Sequence, residues 1–116
     1  MTEERSNGIW AEASIDLLVN LITNACVNTG APDSGNEIVS VRTIQEFLGD
    51  PGTVVEPLPG RASVVYRIPG SDPGAERLLM IPHLDVVPAN PEDWIHPPFA
   101  AMRRAIRQQC IHRRSG

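Results

Sequence analysis

The sequence of 116 residues contains no lysine, only two cysteines, few aromatic residues and no long apolar run. No apolar stretch approaches the ~18–20 residues of a membrane-spanning helix, and the polar, acidic first residues do not have the form of a secretory signal, so we expect a cytoplasmic protein without a membrane partner. Cys26 and Cys110 form neither a disulfide framework nor a zinc-ribbon spacing, and we expect no ligand role for either. Without a Walker lysine, the glycines of residues 70–74 are interpreted as turn residues and not as a phosphate cradle.

Charge is distributed unevenly along the chain. Residues 1–100 contain all fourteen acidic residues and five of the ten arginines, for a net charge of −9, whereas the last sixteen residues contain five arginines and no acid, for +5. Such an asymmetry usually indicates a basic arm for nucleic acid or for an acidic partner. The uneven charge also fits a C-terminal tail that does not fold together with residues 1–100.

Two helices are predicted in the first half of the chain. Apolar residues recur at steps of three and four over residues 10–28, with Cys26 on the same apolar side, which is typical of an amphipathic helix. The same spacing predicts a second helix over residues 36–48. Ser34 and Glu37 have the spacing of a capping box before that helix, and Gly49 stands where a C-terminal cap glycine is expected.

Three strands are predicted after about residue 50, where the helical periodicity ends. The β-branched residues 53–56 and the alternating residues 63–68 predict the first two strands, separated by turn residues 57–60. Four consecutive apolar residues, 78–81, predict a third strand that is buried on both faces of a sheet. The sequence therefore predicts an α/β fold of two helices and then three strands, with the third strand in the interior.

A polar pair, His83 and Asp85, follows the predicted third strand. Polar residues at the carboxyl ends of buried strands line the ligand crevice of open α/β sheets, and residues two apart on an extended chain project to the same side. A neutral imidazole is a good ligand for a divalent metal, and a carboxylate can hold the proton on its other nitrogen. A bare His-x-Asp pair is more often a structural histidine satisfied by its neighbour, so the surrounding residues decide between the two interpretations.

The sequence around this pair supports the metal-binding interpretation. HLDVVP at residues 83–88, followed by Trp94 and Pro98-Phe99, resembles the first metal-site segment of a di-zinc hydrolase family. That family includes acetylornithine deacetylase, succinyl-diaminopimelate desuccinylase, aminoacylase and carboxypeptidase G. Residues 60–70 resemble the strand and turn that precede the motif, and Pro82 departs from it because the family usually has glycine there.

The resemblance implies the N-terminal part of a zinc-exopeptidase-like catalytic domain, in which two zinc ions and a bridging water hydrolyse an amide or peptide bond. The implied substrate is an N-acyl amino acid or a peptide. His83 would be a zinc ligand, and Asp85 would be the catalytic-site carboxylate that orients the imidazole and raises its basicity. His96, in a proline-rich loop, is expected to be exposed and not a ligand. One recognisable ligand is fewer than the three of a catalytic zinc, so we expect weak zinc binding at most.

The family pattern stops after Phe99, so residues 1–99 are assigned to the incomplete metallohydrolase domain and residues 100–116 to a basic tail outside the family. The glycine-rich segment with the bridging Asp, the general-base Glu and the remaining ligands have no counterpart. The tail's charge and all-arginine composition favour a segment that is disordered or derived from a shifted reading frame. The alternative is a short basic helix for an acidic partner, with Met102, Ile106 and Cys110 or Ile111 on its apolar side.

Two functions follow from these observations. The first is a truncated metal-dependent hydrolase of peptidase, deacetylase or aminoacylase type, inactive as this chain alone, with nucleic acid not expected as a partner. The alternative is a small acidic binding module with a basic C-terminal arm, in which His83 and Asp85 are structural. Salt-dependent retention on nucleic acid would favour the module. The residues leave the oligomeric state open.

Overall fold

The computed structural model describes residues 3–103, and the side chains from residue 8 onward. It contains an α/β mix with the helices before the strands, as predicted. The elements are α1 (Glu3–Thr23), α2 (Ile38–Leu48), β1 (Thr53–Leu58), β2 (Arg61–Val65) and a short 3-10 helix (Pro91–Asp93). Within residues 3–103, no helix is both long enough and apolar enough to cross a membrane.

Helix α1 starts and ends earlier than the periodicity predicted. Its C-terminal limit is Thr23, because Ala25 has a positive φ of 49° and leaves the helical conformation. The amide of Asn24 reaches α2, where it donates to the side-chain oxygens of Ser40 at 3.1 Å and Thr43 at 2.9 Å. The placement of Cys26 on the helix was therefore wrong. It lies in the following loop, where it is buried.

Helix α2 ends as the sequence predicted and begins differently. Gly49 caps it in the left-handed conformation, and the amides of Gly49 and Asp50 bond the carbonyls of Glu46 and Gln45 at 3.3 Å each. The predicted capping box was wrong, because the N-cap residue is Glu37 and not Ser34, and the side chain of Glu37 makes no capping hydrogen bond.

Both capping-box residues have other partners. The hydroxyl of Ser34 donates to the carbonyl of Ala31 at 2.7 Å within its own loop. The carboxylate of Glu37 accepts from Nε of Arg61 at 2.9 Å, which ties the start of α2 to β2. Tertiary partners have thus replaced the local cap, and they connect the helix to the hairpin.

Strands β1 and β2 form an antiparallel hairpin that confirms the first two predicted strands, with β2 starting and ending earlier than predicted. Thr53 pairs with Val65 at one end and Leu58 with Arg61 at the other. The register is interrupted between Val55 and Leu58, where Pro57 has no amide to donate.

The core of the described residues is small and lies between α2, the loop after α1, and β2. Its buried apolar members are Cys26, Val41 and Ala62, and the hydroxyl of buried Ser40 lies 3.2 Å from the sulfur of Cys26. Buried Glu37 has its ion pair with Arg61. The core therefore depends on polar side chains that are satisfied as well as on apolar contact.

The predicted third strand is wrong in this structure. Residues 78–81 have no strand assignment, and their side chains are 75 to 85% exposed. A strand that is buried on both faces needs partners along both edges and layers over both faces. Within residues 3–103, no strand lies beside this run, so its apolar side chains and its backbone face solvent.

Candidate metal centre

A single parallel bridge holds the His83 segment against the helical part of the molecule. Val27, in the loop after α1, pairs with Val86. The amide of Val86 donates to the carbonyl of Cys26, and the amide of Asn28 donates to the carbonyl of Val86, both at 2.9 Å. Two backbone hydrogen bonds therefore place Asp85 beside Asn28, even though the preceding apolar run is unpaired.

His83 and Asp85 are in contact, as their spacing predicted. Nδ1 of His83 lies 2.8 Å from the carbonyl oxygen of Asp85 and 3.1 Å from its Oδ1. Both of those atoms are acceptors, so Nδ1 must carry the proton in the neutral imidazole. Nε2 is then the unprotonated nitrogen, and the side chain is 84% exposed. The expected position at the end of a buried strand was wrong, because the strand is not formed.

Asp85 has a second partner that the sequence did not indicate. Nδ2 of Asn28 donates to Oδ2 of Asp85 at 2.8 Å. This hydrogen bond is the main cause that lowers the pKa of Asp85, and the hydrogen bond from His83 acts in the same direction against the opposing effect of partial burial. The carboxylate is therefore ionised at neutral pH, when it can hold the imidazole proton. No local pattern links two residues 57 positions apart.

The described residues supply one candidate ligand and not a complete metal site. Nowhere in residues 3–103 do three His, Cys, Asp or Glu side chains converge to hold an ion. His96 is exposed in the loop after the 3-10 helix, as expected, and buried Cys26 contacts Ser40. Cys110 and His112 lie outside the described residues, as does most of the predicted basic tail. A catalytic zinc takes three protein ligands, so His83 alone fits one position of such a site.

The basic arm of the alternative binding module is described only at its start. Arg103 donates to both carboxylate oxygens of Glu12 in α1, at 3.0 and 3.1 Å, and both side chains are largely exposed. From residue 104 onward the arm lies outside the described part of the chain. The boundary predicted at residue 99 stays a prediction.

Comparison with known proteins finds relatives among the acylases. Aminoacylase-1 of Mus musculus is 33% identical over 78 residues, which is 67% of this chain and 19% of that protein. Aminoacylase-1 of Sus scrofa is 34% identical over 74 residues, or 64% of this chain and 18% of that protein. The human N-fatty-acyl-amino acid synthase/hydrolase PM20D1 is 45% identical over 42 residues, or 36% of this chain and 8% of that protein.

The chain spans about a fifth of the length of the aminoacylases that it matches. No family model matches it. No solved structure matches it either.

Proposed function

Because this chain is a homologue of aminoacylase-1 and of PM20D1, as its resemblance to the di-zinc hydrolases predicted, we propose that it carries the first metal-ligand segment of an amide-bond hydrolase. The substrate class that we propose for the complete enzyme is an N-acyl amino acid. His83 is the metal ligand of this segment, and Asp85 orients it. The names of the relatives support the substrate class, and the local geometry supports the two residue roles.

The observation that carries the proposal is the state of the His83 ring. Two acceptors of Asp85 lie within 3.1 Å of Nδ1 and hold its proton there, so Nε2 presents a lone pair to solvent. Metal-ligating histidines commonly have their other nitrogen bonded to a carboxylate or a carbonyl in this way.

Zinc, when bound, would lower the pKa of a water and polarise the carbonyl of the scissile amide. The described residues would supply only one metal ligand, His83, to this chemistry. Asp85 keeps the proton on Nδ1 and so fixes the tautomer and the orientation in which Nε2 would meet a metal ion. The other two protein ligands have to come from outside the described residues, so we propose that this chain alone binds zinc weakly and does not hydrolyse acyl amino acids.

Isothermal titration of the full chain with zinc tests this proposal. We expect weak binding that His83→Ala abolishes and that His96→Ala, the matched exposed histidine, leaves unchanged. Hydrolysis of an N-acetyl amino acid and of an N-fatty-acyl amino acid is measured in parallel with zinc or cobalt added, and no turnover is expected. Tight binding that survives His83→Ala would exclude the assigned ligand, and metal-dependent turnover would exclude the proposed inactivity of the chain.

A further inference from the structure

We propose that Asn28 is a positioning residue for the His83–Asp85 pair. Its amide holds one oxygen of the Asp85 carboxylate so that the other oxygen faces the imidazole. Nδ2 of Asn28 is 2.8 Å from Oδ2, and Nδ1 of His83 is 3.1 Å from Oδ1. The two oxygens of one carboxylate thus have two different partners, and the bond to Asn28 sets the rotation of the group.

The amide of Asn28 is itself fixed by a second hydrogen bond. Its Oδ1 accepts from the backbone amide of Gly30 at 2.9 Å, which requires oxygen on that side of the group. The NH₂ group must then point toward Asp85, where a carboxylate requires a donor. Gly30 and Asp85 therefore require the same placement of the oxygen and the nitrogen in the Asn28 side-chain amide.

The hydrogen bond from Asn28 is important because few other contacts join the His83 segment to the helical part of the chain. Residues 67–83 are all exposed, and the backbone bonds at Val86 are the nearest tie to the helical part of the chain. Those backbone bonds place Asp85 but leave its side-chain rotation free. The donor from Asn28 restricts that rotation, and the fixed carboxylate, together with the backbone carbonyl of Asp85, holds the proton on Nδ1 of His83.

The variant Asn28→Asp separates positioning from folding. Aspartate has the same shape as asparagine and keeps an oxygen toward the amide of Gly30, but it places a second oxygen where Asp85 needs a donor. Nitrogen-15 spectra of the histidine side chains at pH 8, without metal, then report the tautomer. We expect one dominant tautomer of His83 with the proton on Nδ1 in the native chain, and a larger share of the Nε2 tautomer in Asn28→Asp, where the carbonyl of Asp85 is the remaining acceptor for Nδ1. Asn28→Ala removes the donor without adding charge and should move the spectrum in the same direction. It replaces Asn28→Asp in the test if the Asp variant does not fold.

Asn24→Ala is the matched control. Asn24 also has a partly buried side chain that joins two elements, but its partners are Ser40 and Thr43 on α2. We expect it to leave the His83 spectrum unchanged. If Asn24→Ala shifts the tautomers as much as Asn28→Asp does, or if folded Asn28→Asp keeps the native spectrum, Asn28 does not position Asp85.

A zinc titration of the same variants tests the consequence for the ligand, which rests on the proposed function. Loss of a carboxylate partner behind a ligating histidine weakens metal binding by ~10–100-fold, and Asn28 acts one residue further out, so we expect about a threefold to tenfold loss. If His83→Ala leaves zinc binding intact while Asn28→Asp still shifts the tautomers, the ligand role fails and the positioning role holds. If His83→Ala abolishes binding while Asn28→Asp changes neither affinity nor spectrum, the positioning role fails alone.

Discussion

The described chain has two regions with opposite burial. Between Cys26 and Ala62 lie all the buried residues of the described part, distributed over the loop after α1, helix α2 and strand β2. From residue 67 to residue 83 every residue is exposed, although this stretch includes the most apolar run of the sequence. Apolar composition alone therefore does not produce burial, because a run of this kind needs neighbours that can cover it.

The candidate metal centre lies where these two regions meet. His83 is the last residue of the exposed region and partly buried Asp85 follows it, whereas Asn28 and Val27 belong to the loop that leads into the buried region. The proposed ligand is thus on a segment with few contacts to the rest of the described chain, whereas the side chain that supports Asp85 is on a loop with several. Substitutions in one region, each with a matched substitution in the other, measure how much each region contributes to the free energy of unfolding.

The largest expected effect is at Val41, which is fully buried in α2. Val41→Ala removes two methyl groups from the small core and should lower the free energy of unfolding by about 1.5–3 kcal/mol. Val87→Ala makes the same chemical change at a residue that is 79% exposed, and it should stay within about 0.5 kcal/mol of the native value. Urea unfolding followed by far-UV circular dichroism measures both, and equal losses would contradict the difference in burial between Val41 and Val87.

A smaller effect is expected at the ion pair of Glu37 and Arg61. Glu37 is buried and accepts from Arg61 at 2.9 Å, so Glu37→Gln should lower the free energy of unfolding by about 1–2 kcal/mol. The exposed pair of Glu12 and Arg103 provides the control, since Glu12→Gln should change stability by less than about 1 kcal/mol. The same urea experiment compares them. A larger loss at Glu12 than at Glu37 would contradict the assignment of the core.

The parts that the sequence predicted correctly are those with local causes. Helical spacing, the cap glycine Gly49 and the turn before β2 each act over a few residues, and only one residue separates His83 from Asp85. The parts that it missed depend on distant partners. Ser34 and Glu37 have capping-box spacing, but Arg61 takes the carboxylate of Glu37.

The two remaining differences have the same origin. Asn28 supports Asp85 across 57 residues, and nothing in the sequence near either residue indicates that contact. Residues 78–81 have the composition of an interior strand, but a strand forms only beside another strand. Composition alone was therefore a poor guide to the state of residues 78–81 in the described part of the chain.

The hydrogen bonds at Asp85 predict a modest dependence of stability on pH. The pKa of Asp85 is lower in the folded chain than the ~3.9 of an unfolded aspartate, so the ionised form stabilises the fold. This contribution is fully present above the unfolded pKa and is lost as the pH falls through the lower, folded pKa. Because the side chain is partly exposed, we expect it to be under about 1 kcal/mol.

Asp85→Asn measures that contribution directly. The variant should be less stable than the native chain at pH 7, and the difference should shrink as the pH is lowered below about 4, where the native carboxyl becomes protonated. Chemical denaturation at a series of pH values gives both curves. A difference that grows toward low pH would have the wrong sign and would contradict the hydrogen bonding described for Asp85.

The smallest effect is expected where the sequence predicted the most buried strand. Leu79 and Ile81 are 79 and 84% exposed, so the double substitution Leu79→Thr with Ile81→Thr should leave the free energy of unfolding within about 0.5 kcal/mol of the native value. It should also reduce the fluorescence of a dye that binds exposed apolar surface, since it removes two large side chains from that surface. Val41→Thr is the control, because the same kind of apolar-to-hydroxyl change at a buried residue should lower stability by about 1–3 kcal/mol. If the double substitution destabilises the chain as much as Val41→Thr does, residues 78–81 are buried in solution and the interior strand forms. If it does not, residues 78–81 are exposed in solution, and the position of His83 depends on the loop after α1 and not on a strand.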